Sequence, residues 1–286
     1  MHRLLLDMKK TDPAEYRVVG KIRVPDWRGV NNHFQGIAPL NGVTKITGQI
    51  SASADEWWCA SFVESGNPAT VTDVFGTDYY DHAGGIQRLG DLLAVPLEND
   101  REEATVAFYD VSGAARHLYD IPIVGKASAV AITNYRDGAG VEYAILLVYR
   151  YDPKCFHIYR APVDELSAGI KAWECMGETR DIKTEDDDQF QCFAMVTEAR
   201  SDGNDNVVLL GFREDEEVVR YNVSTQPTDF GAISPVQWTY IGWEGSQWRY
   251  GVGLQIASPT LIRIFGCSED PSGDRDDYTF PIYYWG

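Results

Sequence analysis

HFQGI at residues 33–37, HAGGI at 82–86, KASAV at 126–130, QCFAM at 191–195 and YGVGL at 250–254 are five versions of one phrase. Each opens on a variable polar residue, passes through two mixed residues, places Gly or Ala fourth and ends on an apolar residue. The segments begin at residues 33, 82, 126, 191 and 250, so the intervals are 49, 44, 65 and 59 residues. A four-stranded propeller blade needs about 40–50 residues, and the longer intervals leave room for loop insertions.

Strand-like runs follow each segment in the same order. Second strands are expected at 44–51, 91–98, 143–151, 207–213 and 260–266, and third strands at 57–63, 104–112, 155–161, 217–224 and 278–285. Fourth strands are readable at 70–75, 115–121, 171–177 and 237–242. Turn clusters separate the runs, among them Asn41-Gly42, Arg136-Asp137-Gly138 and Pro271-Ser272-Gly273. Short strands with regular turn signals imply an antiparallel all-β fold. The last repeat runs out of chain after its third strand, while an unused strand at 16–24, YRVVGKIRV, precedes the first. The reading is therefore one domain over residues 1–286, a five-bladed β-propeller of four-stranded antiparallel blades. The N-terminal strand completes the last blade and closes the ring, which would remove exposed sheet edges. The small fourth residue has a packing reason, because inner strands crowd near the axis and need close backbone approach.

Bulk composition narrows the function. The chain has 286 residues and a formal net charge of −18, which disfavours nucleic acid and anionic membranes as partners. The apolar run at residues 4–6 is too short for a leader's hydrophobic region, and no run approaches the ~20 apolar residues of a membrane span. A soluble protein is expected, with the cytoplasm favoured and secretion allowed if a leader has been removed. The five cysteines, at 59, 155, 175, 192 and 267, are odd in number and contain no CxxC pair, so neither a disulfide framework nor a zinc site is supported.

If the five segments open the inner strands, their first residues form a ring around one mouth of the channel: His33, His82, Lys126, Gln191 and Tyr250. Asn32, Asp81 and Arg249 flank the ring, Gln35 and Gln87 lie further down the same strands, and Trp248 lies two residues before Tyr250. Two of only five histidines hold equivalent places. Three readings stand. His33 and His82, with Asp81 or water, hold a divalent metal ion on the axis, since neutral imidazole is a common ligand. Alternatively one histidine is a general acid or base, with Lys126, Arg249 or Tyr250 stabilising a developing negative charge. In the third the ring only makes hydrogen bonds to loop backbone or water.

The expected ligand is a small polar or anionic molecule. Lys126 and Arg249 would meet its anionic groups, Gln191 and Tyr250 would orient it, Asn32, Gln35, Asp81 and Gln87 would add contacts, Trp248 could stack on it, and the chemistry would be that of a hydrolase or lyase. The rival class is a non-catalytic interaction scaffold or a carbohydrate-binding propeller. Asp202-Gly-Asn-Asp-Asn206 and the acidic stretch at 270–277 space oxygen atoms as calcium loops do, but a hydrophilic turn explains both.

The repeat pattern resembles the five-bladed propellers as a class, which include furanose-active glycosidases, calcium-dependent nucleotidases and a sugar-binding lectin. Those glycosidases carry an acidic residue at the start of the first inner strand, where this chain has His33. Their acid-pair chemistry is therefore not implied. His33-Phe-Gln-Gly and Asp81-His-Ala-Gly-Gly-Ile also resemble an uncharacterised group of bacterial propeller proteins with a His-x-Gly-Gly-Ile element, a likeness that covers about the first third of the chain and implies no reaction.

Overall fold

The computed structural model describes residues 21–23, 32–40, 43–50, 57–63, 74–75, 79–80, 82–99, 101–151, 154–168, 171–180, 190–199, 205–213, 217–240, 248, 251–258, 261–267 and 279–285, some by backbone alone. Strand β1 spans Lys21–Arg23. The first repeat is β2 (Asn32–Leu40), β3 (Val43–Ile50), β4 (Trp57–Val63) and β5 (Val74–Phe75). The second is β6 (His82–Ala83), β7 (Gln87–Leu89), β8 (Leu92–Glu98), β9 (Glu103–Asp110) and β10 (Arg116–Val124). The third is β11 (Ala129–Arg136), β12 (Glu142–Arg150), β13 (Cys155–Pro162) and β14 (Glu174–Arg180), with a short helix α1 (Val163–Ser167) before its last strand. The fourth is β15 (Phe190–Ala199), β16 (Asp205–Arg213), β17 (Glu217–Val223) and β18 (Ile233–Tyr240), and the last is β19 (Val252–Ser258), β20 (Leu261–Cys267) and β21 (Thr279–Trp285).

Each repeat is an antiparallel meander, and the strands that open the repeats touch one another. Apolar clusters fill the spaces between successive sheets. Residues of β12 show how. Ile145, Leu147 and Tyr149 join a cluster with Phe193 and Leu209 of the fourth repeat. Leu146 and Val148 join another with Val106 and Phe108 of the second. Successive side chains of a strand point to opposite faces, so a sheet covered on both sides needs an unbroken apolar run such as AILLVY at 144–149. Strand β16 repeats the pattern, with Val207 and Leu209 facing the third repeat and Val208, Leu210 and Phe212 facing β19 and β20. Sheets stacked face to face around the contacting opening strands make an all-β propeller.

The sheet count differs from the expectation. Among the described residues hydrogen bonding resolves four sheets, of eight, five, four and four strands, instead of five separate blades. The first and last repeats share the eight-stranded sheet, because β19 meets β2 in parallel at Val252↔Gly36. At the far edge of that sheet β1 pairs antiparallel with β21, Lys21 opposite Pro281 and Arg23 opposite Thr279.

The small residues at the fourth place mark the crossings. A Cβ on Gly253 would lie 2.0 Å from Ile37 O, and one on Gly36 would lie 2.6 Å from Ile86 N. Gly85 and Ala129, fourth in their segments, form a parallel bridge. There Gly85 N donates to Ser128 O at 3.1 Å and Val130 N donates to Gly85 O at 2.9 Å. That diversion splits the expected inner strand of the second repeat into β6 and β7.

Helix α1 was not anticipated. Pro162 precedes it and Asp164 and Glu165 occupy its first turn, where carboxylates suit the helix dipole. Among the described residues no helix is long and apolar enough to cross a membrane.

Candidate axial site

Four of the five expected ring residues sit at or just before the upstream ends of the opening strands. His33 is the second residue of β2, His82 the first of β6 and Gln191 the second of β15, while Lys126 lies three residues before β11. A Cβ on Gly36 would lie 2.6 Å from Ile86 N and 3.0 Å from Gly84 O, so the middle of β2 crosses the chain just beyond β6. Tyr250, Arg249 and Asp81 lie outside the described residues, as do the side chains of His33, Asn32 and Gln191.

His82 has a partner that the sequence reading missed. The strand β8 ends on Glu98, directly opposite His82 in the antiparallel ladder. Its Oε1 lies 3.0 Å from His82 Nδ1, and its Oε2 accepts the backbone N–H of Ala127 at 2.8 Å. Burial opposes ionisation of Glu98. The hydrogen bond and charge of His82, the Ala127 N–H and the Lys126 ammonium outweigh it and hold the carboxyl below its ordinary range. The imidazole is 24% exposed and the carboxylate 12%, so the ring reaches solvent more than its acceptor does. Lys126 Nζ donates to Asn99 O at 2.8 Å, which leaves two ammonium hydrogens for other acceptors. Asn99 is fixed in turn: its Oδ1 accepts the N–H groups of Arg101 and Glu103, and its Nδ2 donates to Glu103. The signal for Glu98 was legible in principle, as an acid closing an otherwise apolar strand, LLAVPLE at 92–98.

Gln87 holds the opening strands together. Its Oε1 accepts Ile132 N and Met195 N, and its Nε2 donates to Met195 O, all at 2.8 Å. Cys192 makes a second tie, donating to Gln35 O at 3.0 Å and accepting Val252 N at 3.4 Å. Burial pushes this thiol up to about 12, so it is an inert strut and not a nucleophile.

An axial cavity of about 280 Å³ lies at the downstream ends of the same strands, lined by residues of β2, β7, β11, β15 and β19. Of the expected site residues, Gln87 is among those that line it.

Two of the expected ligand contacts are buried. Trp248 is fully buried and packs edge-on to Phe212 in the cluster between the fourth and last repeats. Gln35 is 6% exposed. The remaining histidines with described side chains divide. His117 is exposed beside Asp120, and His157 is buried with Nδ1 3.5 Å from Glu178. For a divalent ion, His82 has Nε2 to offer, since Nδ1 is committed to Glu98. Among the described residues no group of three His, Cys, Asp or Glu could hold a metal.

No family model matches the chain, and no curated protein matches it. Among solved structures it is similar to the SapL1 lectin in complex with alpha methyl fucoside, at 10% identity over 88% of this chain and 76% of that one, with a TM-score of 0.45. It is similar to RS223-Beta-xylosidase, at 11% identity over 89% and 92%, with a TM-score of 0.47. A third is a GH43 beta-xylosidase/alpha-arabinofuranosidase from a compost microbial metagenome, in complex with xylotriose, at 11% identity over 93% of each chain and a TM-score of 0.48. Nothing about the site is carried across from them.

Proposed function

We propose that the chain binds a small polar molecule at the upstream mouth of the axis and that His82 exchanges a proton with it. The hydrogen bond from His82 Nδ1 to the clamped Glu98 carboxylate carries this reading. With Nδ1–H donated to Glu98, the neutral ring presents the lone pair of Nε2, which takes a proton from a hydroxyl or a water and later returns it. Glu98 fixes the tautomer and orientation, as second partners of working histidines do. Lys126 supplies positive charge for an anion that forms beside the ring. Reading the eight-stranded sheet as two blades gives a five-bladed ring, with β1 as the outer strand of the last blade. On that reading their places in the sequence repeat assign His33, Gln191 and Tyr250 to the mouth, and Asn32, Asp81 and Arg249 to its flanks. Such an asymmetric set suits hydrolysis or elimination on one ligand, with a divalent ion on His82 Nε2, His33 and Asp81 as the metal-assisted form.

A panel of chromogenic glycosides and esters tests this, with His82→Ala and Glu98→Gln beside the parent. The expected result is a loss of about 100-fold or more in kcat/KM for His82→Ala with the circular dichroism unchanged. Full turnover in that variant would shift the function to the rim. There a groove of about 820 Å³ runs between β8, β10 and α1, which is what an interaction scaffold would use.

A further inference from the structure

Arg88 is held by main-chain carbonyls, with no ion pair among the described residues. Its Nε donates to Pro39 O at 2.9 Å and its Nη1 donates to Gly90 O, both backbone carbonyls. Among the described residues no carboxylate stands within ion-pair distance of it. Burial pushes its pKa down, and the charge of Asp91 offsets this only in part. The chain carries 43 acidic residues against 25 basic ones, so partners for a guanidinium are abundant. A half-buried arginine left with two carbonyls in so acidic a protein is therefore informative, because a desolvated charge is costly unless something neutralises it.

The place is as telling as the charge. Arg88 lines the downstream axial cavity, at the opposite end of the opening strands from His82. Gln87 and Asn134 line the same cavity. Each has spent one amide hydrogen, Gln87 on Met195 O and Asn134 on Glu142, and each keeps a second. Ile37, Ile86, Phe193 and Leu254 supply apolar wall. At about 280 Å³ the space sits near the lower end of ligand pockets, which start at roughly 300 Å³.

We propose that the downstream cavity is a second site, which takes a small carboxylate or phosphate anion on Arg88, with the spare N–H groups of Gln87 and Asn134 completing its hydrogen bonds. The planar guanidinium suits either oxyanion. The site is independent of His82.

Titration of the full chain, labelled with ¹⁵N, reads the Arg88 Nε–Hε resonance directly. Inorganic phosphate and succinate are the probes, and sodium chloride at matched ionic strength is the control. The expected result is a saturable shift of that resonance with at least one oxyanion and none with chloride. The probe that saturates identifies the anion class. Affinity should fall at least about tenfold in Arg88→Gln and stay unchanged in His82→Ala. A resonance that follows ionic strength alone, or saturation at equal affinity in Arg88→Gln, overturns the proposal. Should Arg88→Gln fail to fold, the shift in the parent chain still decides.

Discussion

Replacing Gln87 by leucine should destabilise the whole ring, because one side chain satisfies three main-chain groups of two other repeats. The amide has only one workable orientation, since its oxygen faces Ile132 N and Met195 N while its nitrogen faces Met195 O. Leucine matches the volume and supplies neither donor nor acceptor. Each stranded main-chain group costs about 1–3 kcal/mol, so the full range is roughly 3–9 kcal/mol. The cavity beside Gln87 admits water, which would recover part of the loss and favours the lower end, about 3 kcal/mol. For a chain of this size that lowers the Tm by roughly 6–12 °C. Differential scanning calorimetry and urea unfolding at neutral pH measure it. Gln87→Glu sharpens the test. An ionised carboxylate would accept from both N–H groups but repel Met195 O, whereas the protonated acid would donate to it. The folded pKa of this glutamate would then lie above its unfolded value, so its stability should improve as pH falls through the folded value. If Gln87→Leu melts within about 2 °C of the parent, the strut argument is wrong.

Two further outcomes follow from crossings and burial. Gly84→Ala would put a Cβ 1.9 Å from Ser128 O, where only main chain could move, so soluble yield and Tm should fall, with a stability loss above the ~1–3 kcal/mol of ordinary overpacking; Gly138→Ala, with open space around it, is the matched control in the same melting assay. His157 is buried with Nε2 unpartnered, and burial pushes its pKa down, helped by Arg150 and opposed by Glu178. The native state then prefers the neutral ring more than the unfolded chain does. Stability should decline as pH falls below about 6.5, and His157→Phe should flatten that limb of the urea midpoint against pH. Glu98, held low, should add its own loss only as pH falls below about 4.5, and Glu98→Gln should remove that later limb while leaving the earlier one.

The repeats were legible because the axis imposes one demand on the opening strands: a residue small enough for main chains to touch. Gly36, Gly253 and the Gly85–Ala129 bridge show that demand in the coordinates. Strand bounds followed from apolar runs, and Cys155–Pro162 and Glu217–Val223 differ from the reading by one residue at one end. What stayed hidden depends on partners distant in sequence. The merger of the first and last repeats rests on the single parallel pairing Val252↔Gly36, which no local pattern encodes. Glu98 is 16 residues from His82 and meets it only through strand register. Gln87 reads as a ligand contact because its amide lies near the axis; only the fold shows that main chain of other strands takes its oxygen and one of its two N–H groups. Trp248 is a different case, since closeness in sequence to Tyr250 says nothing about how deeply a ring is buried.

The alternation along β12 has a consequence for how damage spreads. Odd-numbered residues 145, 147 and 149 belong to one partnership, and even-numbered 146 and 148 belong to another. Side chains joined by a single peptide bond are thus strangers, each answering to a different neighbour, while those two apart share a fate. Lesions at 146 and 147 would sum as independent injuries, and lesions at 145 and 147 would compound within a single seam.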